Sequence, residues 1–274
     1  MKPNIINTNP TMANLNTIAA NVNPTMKTAN SITANRKTTK RTANFLNAIS
    51  KSFEEFIKSG SSRSTAKLKP LHGAIANDIA TLLGSNYSVY SQGYGKDKEE
   101  QMKGRYMEKK VDIVIKRGEN IMAGIAVKFV MQNYSQNSNN YFENMLGETA
   151  NIRCNNYPYF QIFIIPDELP YYDDKKKIKH WETFSAHNID KYTKLSHDNP
   201  LAYMHTPNKT LLYVVKLPKA TPEPTNKTDY FNYYATHIPT ITISGNSYSG
   251  FSNSVILNNY DDFIEKVCHT ILAI

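Results

Sequence analysis

Apolar residues fall in two rhythms along this chain. Phe45, Leu46, Ile49, Phe53, Phe56 and Ile57 recur three and four apart and predict an amphipathic helix. After a Gly-Ser-Ser-Arg-Ser break at 60–64, Leu68, Leu71, Ile75, Ile79, Leu82 and Leu83 predict a second helix, stopped by Gly84. Tyr87 to Gln92 alternates as a strand does, whereas 93–109 is rich in glycine and charge and reads as an exposed loop. Two apolar runs follow, Val111–Ile115 and Ile121–Phe129, with turn material (Lys116-Arg117-Gly118-Glu119-Asn120) between them. They predict an antiparallel hairpin over 110–130. Residues 139–154 read as a helix, and Phe160–Ile165 as a strand covered on both faces and ended by Pro166.

Beyond Pro166 the rhythm weakens. Asp173–Lys179 reads as a charged loop or helix start, Thr210–Leu217 as a strand, and Pro218–Thr228 as a proline-bearing surface loop. Thr240–Ser244 alternates as a strand, and 261–273 resembles a closing helix. The core order of helix, strand, strand, strand, helix, strand predicts an α/β domain whose sheet is flanked by helices.

Composition separates an arm from a body. Residues 1–43 are dominated by Asn, Thr and Ala, with Asn-Pro-Thr-Met at 9–12 and again at 23–26. Such a stretch cannot bury enough apolar surface to offset ordering, so a disordered arm is expected, followed by one domain over 44–274. Of the 32 basic residues, seven fall within the first 53 positions (Lys2, Lys27, Arg36, Lys37, Lys40, Arg41, Lys51) with no acid among them. The remainder is then nearly neutral, 25 basic residues against 23 acidic ones. A basic, acid-free arm suits phosphate contact, and a solubilising tail explains it equally well. Cys154 and Cys268 lie far apart with no CxxC, which argues against a thiol-rich zinc site and for a reducing compartment. With no span-length apolar run and no basic-plus-apolar leader, the expected setting is the cytoplasm, away from membranes.

The sharpest chemical signal is a pair of charges in otherwise apolar strands, Asp112 and Lys128. A buried charge is costly unless it is paired or holds a metal. Two of opposite sign across a hairpin mark either an ion pair or an active site. Because side chains two apart share a face, Ala126 and Lys128 point the same way, and Asp112 can reach that face from the neighbouring strand. Val111-Asp112 and, fourteen residues on, Ala126-Val127-Lys128 resemble the PD-(D/E)XK nuclease superfamily, in particular type II restriction endonucleases. The proline before the first acid is missing, and Ala126 stands where the second acid belongs. Glu143-Asn144-Met145-Leu146-Gly147-Glu148, leading through Arg153 into the next strand, resembles the subgroup that moves this acid to the following helix. The resemblance covers about residues 65–170, leaving 171–274 for recognition and dimerisation.

That resemblance implies a restriction-endonuclease-like core with a mixed central sheet. It implies Mg2+-dependent hydrolysis of double-stranded DNA at a short specific site, with Asp112, Glu148 and the Val127 carbonyl as metal ligands and Lys128 as the catalytic cation. Glu143 is the reserve acid, and Asp78 on the preceding helix is a further candidate. A homodimer on a palindromic site is expected, with a cognate DNA methyltransferase in the same system as a further partner. Two rival readings remain: a repair or junction-resolving nuclease of the same superfamily, and a non-catalytic DNA-binding protein with a degenerate nuclease fold, which Ala126 favours. Gln132, Asn133, Ser135, Gln136 and Asn137 carry side chains that could read adenine or bond phosphates, although a polar loop accounts for them as well. Tyr230-Phe231-Asn232-Tyr233-Tyr234 reads as packing. The seven histidines show no HxH or HExxH spacing and read as surface or core-filling residues. Gly93-Tyr94-Gly95 matches neither a P-loop nor a dinucleotide fingerprint.

Overall fold

The first helix starts ahead of its apolar rhythm because Thr39 caps it. The Thr39 hydroxyl accepts the Thr42 N–H at 3.0 Å, satisfying one of the orphan donors of the first turn. The computed structural model describes residues 38–60 and 66–274. The expectation for the basic arm therefore lies, over residues 1–37, outside the described residues. Residues 40–43, also assigned to that arm, are helical. Helix α1 (Lys40–Ser59) closes on Gly60, whose φ of 63° is the left-handed geometry that glycine adopts without strain. It buries the predicted stripe of Phe45, Ile49, Phe53 and Phe56. Helix α2 (Lys69–Leu83) has Pro70 in its first turn, where a missing N–H costs nothing.

The strands β1 (Ser88–Ser91), β4 (Ile113–Arg117), β5 (Asn120–Phe129), β6 (Tyr159–Pro166) and β9 (Lys209–Lys216) run side by side in that order. The pairs β1–β4 and β4–β5 are antiparallel, whereas β5–β6 and β6–β9 are parallel. The far edge of β9 takes β10 (Thr242–Ile243) antiparallel and β11 (Val255–Leu257) parallel, making a mixed seven-stranded sheet. Helix α3 (Tyr134–Arg153) connects β5 to β6.

Every residue of β6 is buried, as the unbroken apolar run predicts for a strand covered twice. On one face Phe160, Ile162 and Ile164 join Leu211, Tyr213 and Val215 beneath α1, α2 and the closing helix α6 (Tyr260–Leu272). There Phe45 stacks on Tyr260 with ring centroids 3.7 Å apart. On the other face Phe163, Ile165, Leu212 and Val214 pack against α3 and α4 (Ala186–His197). Residues 171–274 thus complete the same sheet and the same core as 65–170.

Three stretches differ from expectation, and a fourth, Asp173–Lys179, takes the loop alternative of its two readings. The supposed loop at 93–109 holds the hairpin β2 (Glu100–Lys103) and β3 (Glu108–Val111). Only Met102 and Val111 of it are buried, too few to set up an alternation. Asp173–Lys179 lies largely in the turn of a second hairpin, β7 (Glu168–Tyr172) with β8 (Ile178–Thr183). Helix α4 was hidden by its polar face. Helix α5 (Lys227–Thr236) begins within the proline-bearing stretch and buries Tyr230 and Tyr234 in the core, so the tyrosine-rich run is indeed packing. Among the described residues no helix is long and apolar enough to cross a membrane.

One close approach fixes α2 against the β1–β2 connection. A Cβ on Gly73 of α2 would lie 2.3 Å from the Gly93 carbonyl oxygen, and one on Gly93 would lie 2.1 Å from the Lys69 carbonyl oxygen. Gly93 also has φ of 73°. Asp97 locks this turn, accepting from the Gly93 N–H and from Lys69 Nζ, each at 2.6 Å. Gly73→Ala is expected to destabilise by about 1–3 kcal/mol, because backbone must move. Thermal unfolding against Gly147→Ala, where the added Cβ meets nothing, is the controlled comparison.

Candidate active site

Asp112 sits at the bend where the chain leaves the small β2–β3 hairpin and enters the central sheet. The last pair of the β4–β5 ladder there is Ile113 with Ile125. Just beyond it the Asp112 carboxylate accepts the Val127 N–H at 2.7 Å. Val127 turns its side chain into the α1/α2 core. Its neighbours Ala126 and Lys128 therefore face the α3 side, as the two-residue period requires.

Asp112 and Lys128 share that region without forming an ion pair. Asp112 is tied to the Val127 N–H, and the Lys128 ammonium lies 4.0 Å from the centroid of the Tyr141 ring on α3. A cation over an aromatic face is held electrostatically and keeps its donors free. Burial pulls the Lys128 amine below the ordinary lysine range, with Asp112 opposing. Burial, with help from Glu99 and Glu148, pushes the Asp112 carboxyl up to about 7 against the pull of the Val127 hydrogen bond.

The cavity formed here measures about 720 Å3 and is walled by Asp112, Val127, Lys128 and Glu148, with Glu143 also at its edge. Three separate elements thus bring the expected catalytic set into one space. The Glu148 carboxylate is already engaged, by Lys109 at 2.7 Å and by the Tyr159 hydroxyl. Asp78 goes elsewhere: it accepts from the Tyr260 hydroxyl of α6 at 2.9 Å and takes no part in the cavity.

The β2–β3 hairpin forms the rim. Its tip is pinned to α3 by Asn151, whose side chain accepts the Tyr106 N–H at 2.9 Å and donates to the Met107 carbonyl at 3.0 Å. Gly104 allows this approach, since a Cβ there would lie 2.1 Å from the Asn151 amide. Tyr106 and Met107 are left exposed beside Lys109 and Lys110, which also line the cavity.

The amide-rich run after β5 serves the scaffold in part. Asn133 accepts from the Tyr172 N–H and from nothing in the cavity, and bonds Gln136 at 3.2 Å. Ser135 bonds Glu182 through both its N–H and its hydroxyl, and Asn137 donates to the Asn133 carbonyl. Gln132 keeps a buried side-chain oxygen without a partner. None of these five residues lines the cavity.

Two residues in or beside the cavity carry no sequence signal of their own. Gln161 stands on β6 directly opposite Ala126, is 3% exposed, and turns into the cavity. His72 of α2 is 2% exposed, and neither of its ring nitrogens has a hydrogen-bond partner. One ring nitrogen lies with carboxylate oxygens of Glu99 and Asp112 in a cluster no wider than 4.8 Å. No pattern around His72 marks it, because its partners come from the β1–β2 connection and the β3–β4 bend.

Carboxylates gathered under burial beside an orphaned imidazole fit a divalent cation, whose charge offsets their mutual repulsion. Comparison with protein families, with curated proteins and with solved structures gives no match to this chain.

Proposed function

We propose that this protein is a Mg2+-dependent endonuclease that hydrolyses double-stranded DNA at a short specific site, in the manner of a type II restriction enzyme. The observation that carries this reading is the convergence of Asp112, Lys128 and Glu148, from a strand bend, a strand and a helix, on one cavity with a lysine-bearing rim. Asp112, Glu148 and the Val127 carbonyl would hold the cation, which supplies Lewis-acid polarisation of the phosphate and a more acidic water. The Lys128 ammonium, steadied over Tyr141, positions the attacking water and offsets charge growing on the phosphorus oxygens. Lys109 and Lys110 meet the flanking phosphates. Lys109, which contacts Glu148 at 2.7 Å, would exchange it for a phosphate and so free that carboxylate to serve as a ligand. The Gln161 amide, buried in the cavity wall, would hold a water or a phosphate oxygen. A symmetric dimer would match a palindromic site. Two free thiols, one exposed and one buried, accord with a cytoplasmic setting.

One observation favours a second reading, a DNA-binding protein with a degenerate site: Ala126 offers no carboxylate, and Glu148 is tied to Lys109 and Tyr159. Incubation with plasmid DNA and Mg2+, followed by sequencing of the ends, separates the two. Discrete fragments with constant ends are expected. Lys128→Met and Glu148→Gln should each slow cleavage on the order of 10²–10³-fold with DNA affinity retained. Binding of DNA without any cut would favour the second reading.

A further inference from the structure

We infer that His72, Glu99 and Asp112 form a binding site for a divalent first-row transition ion, distinct in its donors from an all-oxygen Mg2+ site and sharing Asp112 with it. The side-chain atoms they offer lie within 4.8 Å of one another, a spread that small side-chain rotations close onto a cation with bonds of about 2.1 Å. Each carboxylate is braced from outside. The Val127 N–H holds one oxygen of Asp112, and Lys110 Nζ lies 3.2 Å from one oxygen of Glu99. Both carboxylates thus have supporting contacts, as outer contacts provide in metal sites.

His72 is the decisive member. A buried polar atom without a partner is destabilising, and this ring has two such nitrogens. An aromatic residue kept only to fill space would carry none. The approach of Gly73 to the Gly93 backbone is what brings this ring to the turn leading to Glu99. Imidazole nitrogen with two carboxylates suits Mn2+, Co2+ or Zn2+, whereas Mg2+ prefers oxygen alone. Binding of the ion stands on these residues; its use in DNA cleavage rests on the function proposed above.

The test uses the full chain with Co2+ and Mn2+ as probes. Wild-type protein is expected to give visible absorption bands with Co2+, to quench the free Mn2+ resonance signal, and to unfold at higher temperature with either ion. His72→Phe keeps an aromatic ring and removes the orphaned nitrogens, so the metal-free variant should be at least as heat-stable as wild type. Its Co2+ affinity should fall by more than about 100-fold, beyond the loss typical of an outer contact. Glu99→Gln, a milder change at a partly exposed position, should also weaken Co2+ binding and serves if the first variant fails to fold. Unchanged Co2+ affinity in the variants, or no Co2+ or Mn2+ binding by wild type, overturns the inference. Plasmid cleavage with Mg2+, measured in parallel, keeps the two readings apart. A protein that binds Co2+ through His72 and cuts no DNA sustains this site and sinks the nuclease. One that cuts with Mg2+ but ignores Co2+ does the reverse.

Discussion

Asp112→Asn is expected to abolish DNA cleavage while leaving the protein folded and able to bind DNA. The fold should tolerate the change because asparagine keeps an oxygen in place for the Val127 N–H, which Asp112 accepts at 2.7 Å. The exchange removes a carboxyl that burial pushes up to about 7 against the attraction of Lys109, so little favourable charge interaction of the apo protein is lost. Function is another matter. Asp112 is the one side chain common to the Glu148 side of the cavity and to the His72–Glu99 cluster, so its charge serves any cation placed there. Loss of that ligand removes several kcal/mol of transition-state stabilisation. About 4 kcal/mol corresponds to roughly a thousandfold in rate. Single-turnover cleavage of a plasmid, with gel-shift affinity and thermal unfolding as controls, gives the reading. Cleavage within a few-fold of wild type would falsify the assignment of this cavity as the active site.

The second large effect concerns stability, at the far end of the helix that carries Glu148. Arg153→Met should destabilise the fold on the order of 3 kcal/mol, with no charge partner to blame. The Arg153 side chain is buried and donates to three backbone carbonyls, those of Tyr203 at 2.9 Å, Thr206 at 2.5 Å and Pro200 at 2.6 Å. Five donors in a rigid fork make this possible. Methionine fills similar space but leaves those acceptors dry, and each unmet buried acceptor costs about 1–3 kcal/mol. The segment 198–206 should loosen first, since its tie to α3 is gone. Chemical denaturation together with hydrogen exchange over 198–206 checks both parts. Unchanged stability would mean that water replaces the guanidinium at all three carbonyls.

Much of the fold follows from local pattern. The stripes of α1, α2 and α6, the hairpin of β4 with β5, and the doubly buried β6 all announce themselves by period and by caps. Elements with little buried surface do not: β2, β3, β8 and α5 are recognisable only by what they pack against or pair with. The same division runs through the site. Asp112 and Lys128 stand out because charge interrupts apolar strands, and Glu148 stands out only through its spacing after them. Asp78 and His72 sit on one helix, six positions apart, which turns them about 240° from each other. The sequence cannot say which of the two meets Glu99 and Asp112. It is His72, while Asp78 faces Tyr260 of α6.

By itself, then, the order of residues determined the strongly periodic elements, the α/β architecture and the two charges that share a hairpin, because each of these depends on neighbours a few positions away. The tertiary structure alone decided which acids and which imidazole meet, and that Gln161 stands opposite Ala126. Those meetings depend on backbones from distant segments approaching closely, as Gly73 approaches Gly93, and no local periodicity encodes such an approach.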